Sequence, residues 1–207
     1  MKTVKFMMMT LMMCLCLGKS INVFSQSNIS EYKLKYFEKT YIVAASQDEK
    51  KQTYKLYVDA ESIDATSKQV SLIFNETELS KFKIMLDSAS IIYKTWSEIA
   101  KNNNVTELSK SLSIGSLNIG VAFSYGGWNF DFSVPLEFRF KIVDEKYLLI
   151  IENKTDLQSS SNQFINSDGF LIVFSSSEEI KLFNDSLSLQ LAKDLFNKKN
   201  SNDNLFK

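Results

Sequence analysis

The chain has 207 residues, with 24 Lys and Arg balanced by 24 Asp and Glu, no histidine, two cysteines, 13% aromatic residues, one proline and six glycines. The lack of histidine excludes Ser-His-Asp and Cys-His nucleophilic systems, histidine metal sites, and the side chain most used as a base near neutral pH. Length and apolar content allow one domain to bury a core, and so little Pro and Gly argues against linkers or low complexity.

Residues 1–25 have the anatomy of an export signal. Lys2 and Lys5 form a positive start, Phe6 to Gly18 is an apolar run rich in Met and Leu, and Val23-Phe24-Ser25 offers a small residue before a cleavage point. The run is shorter than the roughly 20 residues a spanning helix needs. Cys14 follows Met13 and Cys16 follows Leu15, where a lipid-attachment signal requires a small residue, so acylation is not expected. The Val-Phe-Ser-Gln ending resembles the signals of exported proteins of Gram-negative bacteria. That resemblance concerns the signal alone and implies a periplasmic or extracellular product beginning at Gln26.

Cleavage after Ser25 changes the chemistry. It removes both cysteines together with Lys2, Lys5 and Lys19, leaving 182 residues with 21 Lys and Arg against 24 Asp and Glu, a formal charge of −3. Thiolate catalysis, thiolate metal sites and disulfides are then excluded. A weakly acidic chain whose single arginine is Arg139 is a poor match for nucleic acid. No later run approaches membrane-spanning length, so no transmembrane segment is expected after cleavage.

Residues 31–74 read as three strands, EYKLKYFEKTYIVAAS, TYKLYVDA and QVSLIF, rich in Tyr, Val and Ile. At Asn75 the period changes. Asn75 with Glu78 is a capping-box pattern, and Leu79, Phe82, Leu86, Ala89, Tyr93, Trp96 and Ala100 form one helical stripe ending at Asn102-Asn103-Asn104. Trp96 on that stripe reads as core.

From Trp128 to Ile142 every even position is apolar and every odd one between them is not, apart from Pro135. Gly126-Gly127 reads as a two-residue hairpin loop, since primed turns demand positive φ. Tyr125 then faces Trp128, Phe123 faces Phe130, Val121 faces Phe132, Ile119 faces Val134 and Leu117 faces Leu136, which predicts that all the even positions are core. The other face carries Ser116, Gly120, Ala122 and Ser124, small residues that permit close approach of another element. So long a strand must bend, and Pro135, which cannot donate to a ladder, is the expected place.

KYLLIIE (146–152) and GFLIVF (169–174) are two more strands, the first apolar enough for burial on both faces. Ser176 with Glu179 is a second capping pattern, opening a helical stripe of Ile180, Phe183, Leu187, Leu191 and Leu195 that breaks near residues 186–188. Strand and capped helix at 72–82 echo those at 172–183. The expected architecture is α+β: a strongly twisted antiparallel sheet of about seven strands, with one long helix and a C-terminal helical segment packed on it. One domain is expected over 26–200, with a frayed tail at 201–207.

The chemistry that remains is carboxylate, lysine, tyrosine and hydroxyl chemistry. Asn166-Ser167-Asp168-Gly169 has one carboxylate and is turn chemistry rather than a calcium loop, and no metal or cofactor is expected. The leading expectation is an exported, non-catalytic binding or interaction protein of the bacterial envelope. Its partner would be a small molecule, a lipid or an envelope protein, held in a groove between sheet and helix or contacted by Tyr125, Trp128, Asn129 and Asp131 at the hairpin tip. The alternative is a hydrolase of envelope polysaccharide in which Asp131, Glu137 or Glu152 converge, a geometry that a bend at Pro135 would have to create.

Overall fold

The computed structural model describes residues 26–48, 50–64, 69–153 and 155–204. The expected signal segment and the end of the expected tail, residues 205–207, lie outside the described residues. The described residues form twelve strands and three helices, in chain order β1 (Ser27–Leu34), β2 (Lys39–Asp48), β3 (Thr53–Ser62), β4 (Val70–Asn75), α1 (Glu76–Asn102), β5 (Leu108–Ser111), β6 (Asn118–Ser124), β7 (Trp128–Pro135), β8 (Glu137–Val143), β9 (Lys146–Glu152), β10 (Leu157–Gln158), β11 (Asn166–Ser167), β12 (Phe170–Phe174), α2 (Ser177–Ser186) and α3 (Leu189–Asn204).

Ten of these strands make one curled antiparallel sheet, and β10 with β11 makes a separate short ribbon. The sheet has two wings joined at β3. One wing runs β1-β2-β3-β4-β6-β7, and the other runs β12-β9-β8-β5. β3 serves both because it pairs with β2 over Thr53 to Val58 and then, at Glu61 and Ser62, with β12. The two strand-then-helix units, β4 into α1 and β12 into α2, therefore lie against opposite sides of β3.

The sheet exceeds about seven strands for identifiable reasons. The run 31–46 folds back on itself at Lys35–Glu38, where Glu38 adopts φ 52°. The long alternating run breaks at Pro135 and Leu136 into β7 and β8 as expected. β5 has too little apolar character to announce itself, since only Leu108 among its residues is even partly buried.

Helix α1 is the axis around which the sheet curls. Its cap is a reciprocal box: Asn75 Oδ1 accepts from the Glu78 amide at 2.9 Å and Glu78 Oε2 accepts from the Asn75 amide at 2.9 Å. Leu79, Phe82, Met85, Leu86, Ala89, Tyr93 and Ala100 are buried on one face. Phe82 sits among Phe74, Phe138 and Phe183, bringing both wings and α2 to one point. Further along, Tyr93 donates to the Tyr147 carbonyl at 3.1 Å, and Tyr93 and Trp96 meet Phe140. Trp96 is packing, as its spacing predicts.

The second cap departs from the box pattern. Ser176 Oγ accepts from the Glu179 amide at 3.2 Å. The Glu179 carboxylate, however, accepts from the Ser175 amide (2.6 Å) and hydroxyl (2.7 Å) and from the Lys35 amide (2.7 Å). A buried carboxylate thus fastens the β1–β2 turn to the start of α2. Helix α2 ends at Ser186, and Lys83 Nζ donates to the Asn184 and Leu187 carbonyls at 2.9 Å each, satisfying groups at the helix end. Burial lowers the Lys83 pKa. α3 continues to Asn204, beyond the expected start of the tail.

The hairpin register corrects the expectation that every even position is core. The β6–β7 connection is three residues, Tyr125-Gly126-Gly127, with φ of 62° and 148° at the glycines, so Ser124 faces Trp128, Ala122 faces Phe130 and Phe123 faces Asn129. One extra residue in the turn moves every β7 side chain to the opposite face. A bulge at Phe132 and Ser133, opposite Gly120, then restores the pairing Ile119 with Val134. Even positions are core from Val134 through Ile142, and face outward from Trp128 to Phe132.

Candidate functional site

The outer face of the first wing carries a groove of about 710 Å³. Its floor is β6, whose outward residues are Gly120, Ala122 and Ser124, and a ridge of Trp128, Phe130 and Phe132 on β7 forms one wall. The opposite wall is Ile73 on β4 with Tyr57 on β3 behind it. Cross-strand pairing sets the rows: Tyr57, Ile73, Gly120 and Phe132 at one level, then Asp59, Ser71, Ala122 and Phe130, then Ser124 and Trp128. A run of small residues between two bulky rows makes a trough along the strand direction. Two strand spacings separate its walls, roughly 10 Å.

The ridge is exposed. Trp128 is 55% accessible and Phe132 65%, and the rings of Phe130 and Phe132 stack 6.1 Å apart at an interplanar angle of 5°. Three consecutive outward aromatics with no protein layer over them, among the described residues, are costly to hydrate. Gly120 keeps the floor low: a Cβ there would meet the Ile73 Cβ at 3.3 Å, a tight contact that would make Ile73 shift by a few tenths of an ångström.

Most polar groups bordering the groove are already committed. Ser71 Oγ donates to Asp59 Oδ1 at 2.5 Å, and Asn75 and Glu78 are joined in the α1 cap. The Tyr57 hydroxyl receives a long contact from Ser46 Oγ at 3.4 Å. The floor's backbone lies in an interior strand paired on both sides. Lys55, opposite Asn75 at the Phe132 end, is an exposed cation with no ion-pair partner among the described residues.

The hairpin-tip residues are distributed unequally. Trp128 lines the groove. Tyr125 is exposed at the turn and is not part of the groove lining. Asn129 points inward, and its Nδ2 donates to the Tyr125 (3.0 Å) and Gly127 (3.1 Å) carbonyls, which holds the turn shut. Asp131 accepts from the Gln158 amide through Oδ2 and the Ser133 amide through Oδ1. Together with the Ser160 amide on the Phe130 carbonyl at 2.8 Å, this covers the free edge of β7 with the loop from β10.

The groove residues the sequence reading missed are Phe130, Phe132, Tyr57, Ile73 and Lys55. The signal for the first two was present, since small residues on β6 and aromatics on β7 share a face once the turn holds three residues. Nothing in the alternation marks Tyr57 or Lys55, because pairing across β3, β4 and β6 is not local.

Of the other carboxylates, Glu137 and Glu152 stand opposite each other on β8 and β9. Arg139 Nε donates to Glu152 Oε1 at 2.8 Å. Neither glutamate lines the groove. A second cavity of about 470 Å³ is lined from the start of β2, the end of β3 and the start of β4, by Lys39, Tyr41, Asp59, Glu61 and Asp64 among others. There Glu61 Oε2 takes both the Tyr41 hydroxyl and Lys39 Nζ at 2.7 Å. Burial raises the Asp59 pKa against the opposing hydrogen bond from Ser71.

Among the described residues no group of three or more His, Cys, Asp or Glu side chains could hold a metal ion, and no helix is long and apolar enough to cross a membrane. No protein-family model, curated protein or solved structure matches this chain.

Proposed function

We propose that this chain is an exported, non-catalytic binding protein of the bacterial envelope, and that the groove over β6 is where it binds. The observation that carries the reading is the uncovered aromatic ridge of Trp128, Phe130 and Phe132 above a floor of Gly120 and Ala122. A concave, largely apolar site of about 710 Å³ is of the size that takes small molecules, roughly 300–1,000 Å³. Export is supported by the charge, apolar run and small residues of positions 1–25.

Native mass spectrometry of the protein purified from its own envelope tests both parts. The chain is expected to start at Gln26 and to carry a reproducible small adduct that is lost in Ala122→Phe, which fills the trough. A Phe130→Ser and Phe132→Ser double variant removes the wall without adding volume and guards against a misfolded filler. A mass that begins at Met1 sinks the export reading, and an adduct that survives both variants sinks the groove.

A further inference from the structure

We infer that the groove's occupant is a single-chain amphiphile with an anionic head, of the free fatty acid type, its chain lying along β6 and its carboxylate at Lys55. The inference rests on the binding reading above and names the ligand class for the same groove.

Three observations point to this chemistry. First, the trough is narrow and long. From the row of Asn75 to that of Gln69, whose carbonyl accepts from the Ser124 amide beside Trp128 at 2.9 Å, β4 spans six residues, roughly 20 Å. One extended chain fits between walls two strands apart, whereas two chains side by side do not.

Second, the walls and floor offer area without hydrogen bonds. Gly120 and Ala122 have no polar side-chain atoms, β6 has both its neighbours, and Ser71, Asn75 and Glu78 are each bonded within the protein. A sugar needs partners for its hydroxyls, and burying it here would leave them unpaired. A methylene chain has none to leave.

Third, the charged side chains of the lining, Lys55 and Glu78, both lie at one end; Glu78 accepts from the Asn75 amide in the helix cap, and Lys55 has no ion-pair partner among the described residues. Lys55 faces Asn75 beyond the Phe132 row, while the far end is bordered by Trp128, which pairs with Ser124 across the strands. A cation at one end of an apolar trough complements a head-and-tail molecule of opposite charge. Asp59 is turned to Ser71 and does not compete for that end.

The test compares decanoate with decanol, same chain and different head, on the Trp96→Phe protein so that Trp128 is the one tryptophan reporter. Both are titrated below their aggregation limits. Saturable one-to-one binding of both is expected, decanoate tighter, with Ala122→Phe abolishing both. Lys55→Gln should weaken decanoate roughly two- to fivefold, the size of an exposed ion pair, and leave decanol unchanged. Lys55→Glu should weaken decanoate further, and added salt should narrow the gap between the two ligands.

Equal binding of acid and alcohol, insensitive to Lys55, overturns the head assignment and leaves the binding reading intact. Binding of neither, by protein whose envelope-purified form carries an adduct lost in Ala122→Phe, overturns the amphiphile and again spares the groove. Binding of neither with no adduct overturns both. A dimer in sedimentation that Ala122→Phe splits would make a second copy the occupant, and overturns the inference as well.

Discussion

β7 and β8 are halves of one alternating stretch, Trp128 to Ile142, with the same even-position periodicity. Their aromatics nevertheless go to opposite destinations. Phe138 and Phe140 are buried against Phe82, Tyr93 and Trp96, while Trp128 and Phe132 are more than half exposed on the far side of the sheet. Alternation with period two sorts side chains onto two faces and says nothing about which face is covered. A three-residue turn and a one-residue bulge decide that, and here they place half of an apparent core pattern around a groove.

The largest test of this contrast is Phe140→Ala against Phe132→Ala. Phe140 is fully buried, so its truncation should cost about 3–5 kcal/mol in urea unfolding. Phe132→Ala should stay within about 0.5 kcal/mol, since nothing covers it. Similar losses would mean that the outer face is covered in solution. Gly120→Val comes next. Its Cβ presses on Ile73 at 3.3 Å, and the added volume should cost about 1–3 kcal/mol while closing the groove to an apolar fluorescent probe. Probe binding that survives would place the site elsewhere.

Asn129→Ala attacks the turn that sets the outward face. Losing the donor to the Tyr125 and Gly127 carbonyls should cost about 1 kcal/mol and speed amide exchange at the hairpin tip. Unchanged exchange would show that the glycines hold the turn unaided.

The smallest effect concerns pH. Burial raises the Asp59 pKa in the second row of the groove face, so the folded state holds its proton more tightly than the unfolded one. The stability this contributes is present below the unfolded-state pKa and is lost as pH rises through the folded-state pKa. Asp59→Asn should flatten that decline. A variant whose stability falls with pH as steeply as the parent's would assign the slope to another group.

Much of the fold was legible because it rests on local chemistry. Asn75 and Glu78 cap α1 where the box pattern puts them, the stripe from Leu79 to Ala100 is the buried face, the helical break falls at residues 186–188, and Pro135 ends β7. The candidate site was legible in part. Trp128 lies in the groove, yet Asn129 is a fastener of the turn, Asp131 holds the β10 loop, and Tyr125 stands outside the lining. Asn129 turns inward because Tyr125 belongs to the loop with Gly126 and Gly127, one residue more than a two-residue loop holds.

Residue type and spacing alone determined the helices, most strands, the α+β class, and the chemistry the chain cannot perform without histidine, because caps, periods and composition act over a few residues. The tertiary structure decided the joining of two wings at β3, the side of the sheet that α1 occupies, and the meeting of Tyr57, Ile73, Gly120 and Phe132 at one level. Those depend on strand pairing across the whole chain, where one residue more or less in a turn exchanges inside for outside.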